Sequence, residues 1–408
     1  MTSRFLARAG VMIGCLVLAG YAVAQDTGRP SVRYFALDAP AGTSQAVVVQ
    51  GMPLVYTRQL LALDREGKLV GEGSAEKQIE QVLANLETVL GAAGSGLGHL
   101  VRLNVYALSP QTADRVREQL RKRLDPTVRP VITAVLTPLA HRKALVAVDA
   151  VAVDAAEKDR AVALKRCPSV AGDKDCADAA VLPRGGVAYL SGVPATGGLT
   201  TSAVAQSLSA LSRTLAQLKL SPANVVQVKV FLTPASSAEE VLREIKKHFP
   251  GRLTPPVVFV EWLASAPVEI ELVAQLPPGD KPGEGLQYYT PPGVRPSPAF
   301  SRVALVRAPR QIFISGLSPR GEGTIGAQTR DVFRQLQRIL GETGSDMGHL
   351  AKATYYVSED NAAHALDKVR PEFLDPQRPP AASKIMVHGV GQPRRTLTID
   401  MIAVGSGR

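Results

Sequence analysis

The stretch Gly94-Ser95-Gly96-Leu97-Gly98-His99-Leu100 recurs later in the chain as Gly344-Ser345-Asp346-Met347-Gly348-His349-Leu350. The strand-like stretch that follows ends at an aromatic residue, and these aromatic residues keep a period of 125: Tyr106, Phe231 and Tyr356. The same period of 125 separates three prolines: Pro130, Pro255 and Pro380. Independent landmarks that share one period indicate internal repeats. The sequence therefore predicts three copies of one domain.

The order of elements is the same in each copy. Two apolar strands, 46–50 and 54–60 in the first copy, precede a helix for which Ser74 is a good N-cap. The apolar residues of this helix fall on one face: Ile79, Val82, Leu83, Leu86, Val89 and Leu90. A strand, a shorter second helix and two closing strands follow. The pattern is ββαβαββ, an α+β domain with one sheet and two helices on one face.

The predicted boundaries lie where the composition changes. Charged and small residues over 155–183, and a stretch rich in Pro and Gly up to residue 299, are typical of linkers. We therefore expect the following division of the chain: a signal peptide over 1–24, repeat 1 over 31–154, repeat 2 over 165–277, a linker over 278–299 and repeat 3 over 300–405.

The N-terminus has the features of a signal peptide. Arg4 and Arg8 precede a short apolar stretch, and Ala22-Val23-Ala24 resembles a cleavage site. The apolar stretch is shorter than the about 20 residues that span a bilayer, and a lipoprotein role for Cys15 is the alternative to simple cleavage. We expect a periplasmic or secreted protein with no membrane attachment after cleavage.

The charge balance is basic. The net charge of +11 falls to +9 when Arg4 and Arg8 leave with the signal peptide. Such a charge can steer anionic ligands or maintain solubility. The basic run on the second helix of repeat 1 (Arg115, Arg117, Arg121, Lys122 and Arg123) lacks the aromatic residues that usually accompany RNA binding. We interpret it as a solvated face and expect no nucleic-acid partner.

Two cysteines remain in the predicted mature chain. Cys167 and Cys176 are close in sequence, and in an oxidising compartment such a pair predicts a local disulfide. A redox or metal pair is the alternative, but there is no CxxC spacing and no neighbouring histidine. The six histidines are scattered, so we expect no metal and no cofactor.

The order of these landmarks resembles that of the Rid (YjgF-like) family. The features that carry the resemblance are Ser-Gly at a strand end (Ser191-Gly192, Ser315-Gly316), a glutamine in the first helix (Gln78, Gln206, Gln328), the Ala93-Gly94 turn and the strand motif Glu269-Ile270-Glu271. The resemblance implies a chorismate-mutase-like fold and a homotrimer with small-molecule clefts between subunits. Three fused copies then predict an intramolecular pseudo-trimer, a monomer in solution.

The resemblance also implies hydrolysis of enamines and imines to 2-oxo acids and ammonia. An arginine two positions after a proline would bind the substrate carboxylate, and a glutamate on the last strand would direct the water. The arginine position holds Ile132, Val257 and Ala382, and the glutamate position holds Ala147, Glu269 and Thr398. No copy carries the arginine, and Glu269 alone keeps the glutamate.

The expected ligand-binding residues are therefore those of the clefts. They are Ser191 with Gly192, Ser315 with Gly316, and Thr57 with Arg58, which stand in the corresponding place of repeat 1. Arg58 is either a new carboxylate ligand or a solvated arginine at a strand edge. The acids that share one position on the last strand, Asp149, Glu271 and Asp400, are interpreted as structural.

These observations favour a protein that binds a small anionic metabolite or a protein partner in clefts between its repeats, without the deaminase chemistry. An imine deaminase with a rearranged site, using Glu269, is the alternative. A purely structural role would predict clefts filled by side chains.

Overall fold

The computed structural model describes residues 29–154, 160–195, 200–277 and 285–407. The predicted signal peptide and Cys15 lie outside these residues. The helices are α1 (Ala75–Ala92), α2 (Pro110–Arg123), α3 (Thr200–Gln217), α4 (Ala238–Lys246), α5 (Ile325–Glu342) and α6 (Asp360–Val369). The strands are β1 (Ser31–Phe35), β2 (Ala46–Gln50), β3 (Leu54–Thr57), β4 (Leu60–Leu61), β5 (Leu100–Ala107), β6 (Val131–Leu136), β7 (Val146–Val153), β8 (Ala163–Lys165), β9 (Ala179–Leu182), β10 (Gly186–Ala195), β11 (Val225–Leu232), β12 (Val257–Glu261), β13 (Val268–Leu276), β14 (Leu286–Tyr289), β15 (Val303–Val306), β16 (Arg310–Leu317), β17 (Leu350–Val357), β18 (Ala381–Met386) and β19 (Leu397–Val404).

The repeated glycine motif ends a helix and starts a strand. Gly94 and Gly344 follow α1 and α5 with φ angles of 80° and 71°, a left-handed conformation that glycine adopts without strain. A single 3₁₀ turn, Leu97–His99 or Met347–His349, then leads into β5 or β17. At the other end of α1 the Ser74 hydroxyl accepts a hydrogen bond from the Lys77 N–H at 3.4 Å, which confirms the predicted N-cap.

Each of the three sheets combines strands from two repeats. The strand orders are β6-β5-β7-β3-β9-β8 in the first sheet, where β4 also pairs with β7, β12-β11-β13-β10-β15-β14 in the second, and β18-β17-β19-β16-β2-β1 in the third. The last two strands in each of these orders come from the next repeat along the chain, and in the third sheet they come from repeat 1. Strand exchange therefore joins the three repeats into a closed ring.

This exchange corrects the predicted strand pair of repeat 1. Strand β2 pairs with β16 of repeat 3, and β3 pairs with β9 of repeat 2, so the two strands do not pair with each other. Their apolar pattern is satisfied equally by either sheet edge, because a pattern fixes which face is buried and not which strand lies alongside. The predicted linkers are also corrected, since they contain β8, β9 and β14.

The apolar cores follow from this arrangement. In each repeat the helices pack on one face of a sheet, and the buried face of α1 is the predicted one. The opposite faces of the three sheets share further clusters, and Tyr106, Phe231 and Tyr356 all belong to one of them. The period of 125 thus marks side chains that meet at the centre. No helix in the described part of the chain is long and apolar enough to cross a membrane.

Candidate functional site

Three clefts form where the bulged strand of one repeat (β3, β10 or β16) faces the strand that follows the second helix of the next repeat (β12, β18 or β6, respectively). We call them the first cleft (repeats 1 and 2), the second cleft (repeats 2 and 3) and the third cleft (repeats 3 and 1). At each bulge one backbone N–H donates, at 2.9 Å, to the carbonyl of the residue just before the exchanged strand: Arg58 to Asp178, Ser191 to Arg302 and Ser315 to Gln45. Arg58-Gln59 is therefore the counterpart of Ser191-Gly192, and the predicted Thr57-Arg58 was wrong by one residue.

At the first cleft, Gln59 bonds across to repeat 2 and stands where the other repeats have glycine. The Gln59 backbone N–H donates to the Val257 carbonyl at 3.0 Å, and its side-chain Nε2 donates to the Phe259 carbonyl at 2.7 Å. Thr57 accepts a bond from Gln227 Nε2 at 2.8 Å through its carbonyl. These bonds occupy the polar groups that would otherwise be available to a ligand.

Arg58 takes neither of its two predicted roles. Its guanidinium donates to Asp178 at 2.7 Å, to the Gln59 carbonyl at 2.9 Å and to the Ala171 carbonyl. Its side chain is 17% exposed, and that of Asp178 is 2% exposed. Arg58 is therefore a partly buried structural arginine, and it lies in a different cleft from Glu269.

Direct hydrogen bonds join repeats 2 and 3 at the second cleft. The Ser191 hydroxyl accepts from the Ala382 N–H at 2.8 Å, and the Gly192 N–H donates to the Ser383 hydroxyl at 3.2 Å. Ser383 in turn donates to Glu271 at 2.7 Å. Ser191 and Gly192 are buried and join two repeats, and their role in ligand binding stays a prediction.

Glu269 lies directly over Gly192 in this second cleft. A Cβ placed on Gly192 would be 1.7 Å from Glu269 Oε1, so any larger residue would force the Glu269 side chain to move. Burial, together with repulsion from Glu271, raises the pKa of Glu269 to about 7. The family arginine would stand at Ala382, so this carboxyl group has no guanidinium at that position to bind a substrate.

The third cleft contains a cavity of about 390 Å³. Ser315 and Gly316 line it and are half-buried, unlike their buried counterparts in the second cleft. Ile132, at the position of the family arginine, lies in the same wall. A Cβ on Gly316 would be 3.1 Å from both Thr133 Cγ2 and Thr398 Oγ1, so glycine allows the two repeats to approach closely here.

Four charged side chains line this cavity: Arg117, Arg320, Arg395 and Asp38. Arg117 donates to Asp114 at 2.5 Å, and Arg395 donates to the Gly321 carbonyl at 3.1 Å. The Asp38 carboxylate accepts from Arg320 at 2.8 Å. Its hydrogen bond to Arg320 and the nearby charge of Arg338 lower the pKa of Asp38. The four formal charges of the lining sum to +2, and two acids outside the lining, Asp114 and Glu322, pair with Arg117 and Arg395.

One polar atom at the cavity lacks a partner. The Ser44 hydroxyl is buried, the residue is 1% exposed, and the hydroxyl has no hydrogen-bond partner among the described residues. A buried hydroxyl without a partner costs about 1–3 kcal/mol. Ser44 is among the residues that line the cavity, but its hydroxyl oxygen is not exposed to it.

The sequence did not identify these cavity residues. Arg117 belongs to the basic run that we interpreted as a solvated face, yet its side chain is only 24% exposed. Arg320 and Arg395 lie in loops far from each other in sequence, and no spacing connects them. The position of Arg117 one helical turn before the exposed Arg121 was the one available signal.

The acids at the shared last-strand position are structural, as predicted. Asp400 pairs with Arg102 at 2.8 Å, and Glu271 pairs with Lys352 at 2.5 Å, each between two repeats. Asp149 instead accepts from Tyr106 at 2.6 Å and from Asn104 at 2.9 Å within repeat 1. The three positions are thus equivalent in the fold but differ in their partners.

The predicted disulfide is absent. Cys167 and Cys176 are both buried free thiols. Cys167 packs into the core of repeat 1, whereas the residue after Cys176 bonds to Thr254 of repeat 2, with the Ala177 N–H donating at 2.8 Å. The two thiols lie in different packing environments, which their proximity in sequence does not reveal.

The family model of endoribonuclease L-PSP matches the chain three times, over residues 35–154, 178–276 and 293–405. This chain belongs to the endoribonuclease L-PSP family. The match confirms the predicted resemblance and the three copies. Among curated relatives, a RutC family protein from Synechocystis is 32% identical to this L-PSP family protein over 117 residues, which are 28% of this chain and 88% of the relative.

Two solved structures are similar to single repeats of this chain. A Rid family protein from Yersinia pestis is 30% identical, with a TM-score of 0.26, and the alignment covers 30% of this chain and 98% of that one. A YjgF family protein from Neisseria meningitidis is 26% identical, with a TM-score of 0.24 and coverage of 30% and 97%. Each relative is the length of about one repeat.

Proposed function

We propose that this L-PSP family protein binds a small anionic metabolite in the third cleft, without the deaminase chemistry of the Rid family. The observation that carries the proposal is the cavity of about 390 Å³ lined by Arg117, Arg320 and Arg395. This volume is within the usual range of small-molecule sites. A guanidinium binds a carboxylate through two parallel hydrogen bonds, which no other side chain can offer.

The same cleft lacks the groups that the deaminase reaction needs. Ile132 and Thr398 occupy the positions of the family arginine and glutamate, and Thr398 donates its hydroxyl to the Leu317 carbonyl at 3.2 Å. The remaining acid in the described lining, Asp38, is paired with arginines. These features support binding in this cleft and provide no general base for an attacking water.

Calorimetric titration with ligands of matched size tests this proposal. We expect butanoate to bind and butanamide, its uncharged analogue, to bind at least tenfold more weakly. Arg117→Gln should weaken butanoate binding, whereas Arg115→Gln, a change of the same charge on an exposed neighbour in α2, should not. Equal binding of the acid and the amide, or equal effects of the two variants, would refute the proposal.

An imine deaminase is the second candidate, and Glu269 is the observation that favours it. A carboxyl group with a pKa of about 7 can accept a proton from water near neutral pH. The test is ammonia release from freshly generated 2-iminobutanoate. A rate above the buffer background that falls in Glu269→Gln would establish the enzyme and overturn the binding-only proposal. A rate equal to background would exclude this candidate.

We also propose that the protein is exported and is a monomer. The features of residues 1–24 support export, and the closed ring of exchanged strands supports a single chain per particle. Light scattering on the purified protein should give a mass near 43 kDa, less any cleaved segment, and three chains per particle would refute the monomer. Detection of the N-terminus at Gln25 in a periplasmic fraction would verify export and cleavage, and an intact Met1 would refute both.

A further inference from the structure

The loop between β1 and β2 crosses the third cleft. It belongs to repeat 1, but Asp38 in this loop accepts hydrogen bonds from two arginines of repeat 3, Arg320 at 2.8 Å and Arg338 at 2.6 Å. Asp38 and Arg320 line the cavity, whereas Arg338 is not part of the lining. The Asp38 carboxylate is therefore already paired with the guanidinium of Arg320, which lines the proposed ligand site.

The other end of the loop rests on repeat 1. Gly42, with a φ of 80°, packs so closely on Arg121 that a Cβ would lie 2.6 Å from its Cγ. A second cavity of about 400 Å³ is lined by residues 39–43 of the loop together with Arg121 and Arg129. The loop thus borders two cavities, and the Asp38 side chain is 52% exposed.

The pairing of Asp38 with Arg320 is one that a ligand can replace. The side chains of Asp38 and Arg320 are 52% and 43% exposed, and an exposed ion pair contributes little to stability. A carboxylate of a ligand would offer Arg320 the same two oxygens that Asp38 offers. Once Asp38 is displaced, three guanidiniums line the cavity: Arg320 without its carboxylate partner, Arg117 still paired with Asp114, and Arg395 still paired with Glu322 at 3.4 Å.

We propose that Asp38 is an internal competitor for the ligand, and that the ligand is a dianion, such as a dicarboxylate, with one acidic group replacing Asp38 on Arg320. The second acidic group binds Arg117 or Arg395. This inference rests on the proposed binding function, since it concerns the same cavity. A monoanion can use Arg117 or Arg395 without disturbing Asp38, so the two classes of ligand should respond differently to the loss of Asp38.

The experiment compares succinate with butanoate by calorimetric titration at low ionic strength. In the wild-type protein we expect succinate to bind more tightly than butanoate. Asp38→Asn should increase succinate affinity by up to about fivefold, the upper end of the contribution of one exposed ion pair, and butanoate affinity less than twofold. Asp38→Glu keeps the competing charge and should bind succinate like the wild type.

Two controls separate competition from a general change of charge. Asp367→Asn removes an exposed acid that pairs with Lys384 on repeat 3, outside the cavity lining, and should leave succinate affinity unchanged. Arg338→Gln leaves Asp38 paired with Arg320 alone and should give no gain in succinate affinity. A gain of equal size for both ligands in Asp38→Asn, no gain, or a loss would overturn the inference while leaving the binding function intact. Failure of the wild-type protein to bind either anion would overturn the binding function and this inference together.

Discussion

Replacing Asp400 by asparagine tests how the ring of repeats is held closed. Asp400 of repeat 3 pairs with Arg102 of repeat 1 at 2.8 Å, and the two side chains are 7% and 8% exposed. Removing one partner of such a buried pair typically costs 3–5 kcal/mol, because the other charge is left buried. Arg102 would keep its bond to the Met401 carbonyl, at 2.9 Å, so we expect the lower end, about 3 kcal/mol of unfolding free energy.

Urea unfolding measures this loss, followed both by far-UV circular dichroism and by fluorescence of Trp262, the single tryptophan of the chain. Coincident transitions from the two probes would justify a single unfolding free energy. The double variant Arg102→Met with Asp400→Leu removes both charges and should recover most of the loss. A loss below about 1 kcal/mol in Asp400→Asn, or a double variant less stable than the single one, would refute the reasoning.

Three further outcomes follow from the same contacts. Gly316→Ala places a Cβ 3.1 Å from Thr133 and Thr398, so we expect a loss of about 1 kcal/mol in urea unfolding and weaker anion binding; unchanged values would contradict the close packing. Glu269 has a folded pKa of about 7 against its ordinary value of 4.5, so its contribution to the unfolding free energy is fully present below pH 4.5 and is lost as the pH rises to about 7; Glu269→Gln should remove this fall of up to about 3 kcal/mol, and an identical pH profile would exclude it. Dithiothreitol should not lower the melting temperature, because Cys167 and Cys176 are free thiols; a drop of several degrees would indicate a disulfide.

The repeats could be predicted because their signals are local. The turn at Gly94 and Gly344 depends on backbone conformation within a few residues, and the face of α1 depends on helical spacing. The exchange of strands could not be predicted in this way. Strand β2 is buried along its whole length, and its pattern is compatible with either neighbouring sheet, so the choice depends on contacts far away in sequence.

The candidate site could likewise be predicted only in part from the sequence. The position of Ser315 and Gly316 followed from the strand landmark, but the register in repeat 1 did not, because the bulge that aligns Arg58 with Ser191 is defined by hydrogen bonds to another repeat. Which cleft contains the arginine-lined cavity also could not be predicted. Gln59 bonds across the first cleft, Ser191 and Gly192 bond across the second, and three separate segments bring arginines to the third.

Fusing three copies into one chain allows these differences, which a symmetric homotrimer cannot have, since its interfaces are identical. The equivalent positions Arg102, Gln227 and Lys352 show this directly. Arg102 and Lys352 form buried ion pairs with the acid of another repeat, whereas Gln227 donates to a backbone carbonyl. An exchange of neighbours would leave a buried charge without its partner, at a cost of several kcal/mol. The charges that close the ring therefore also favour one order of contacts.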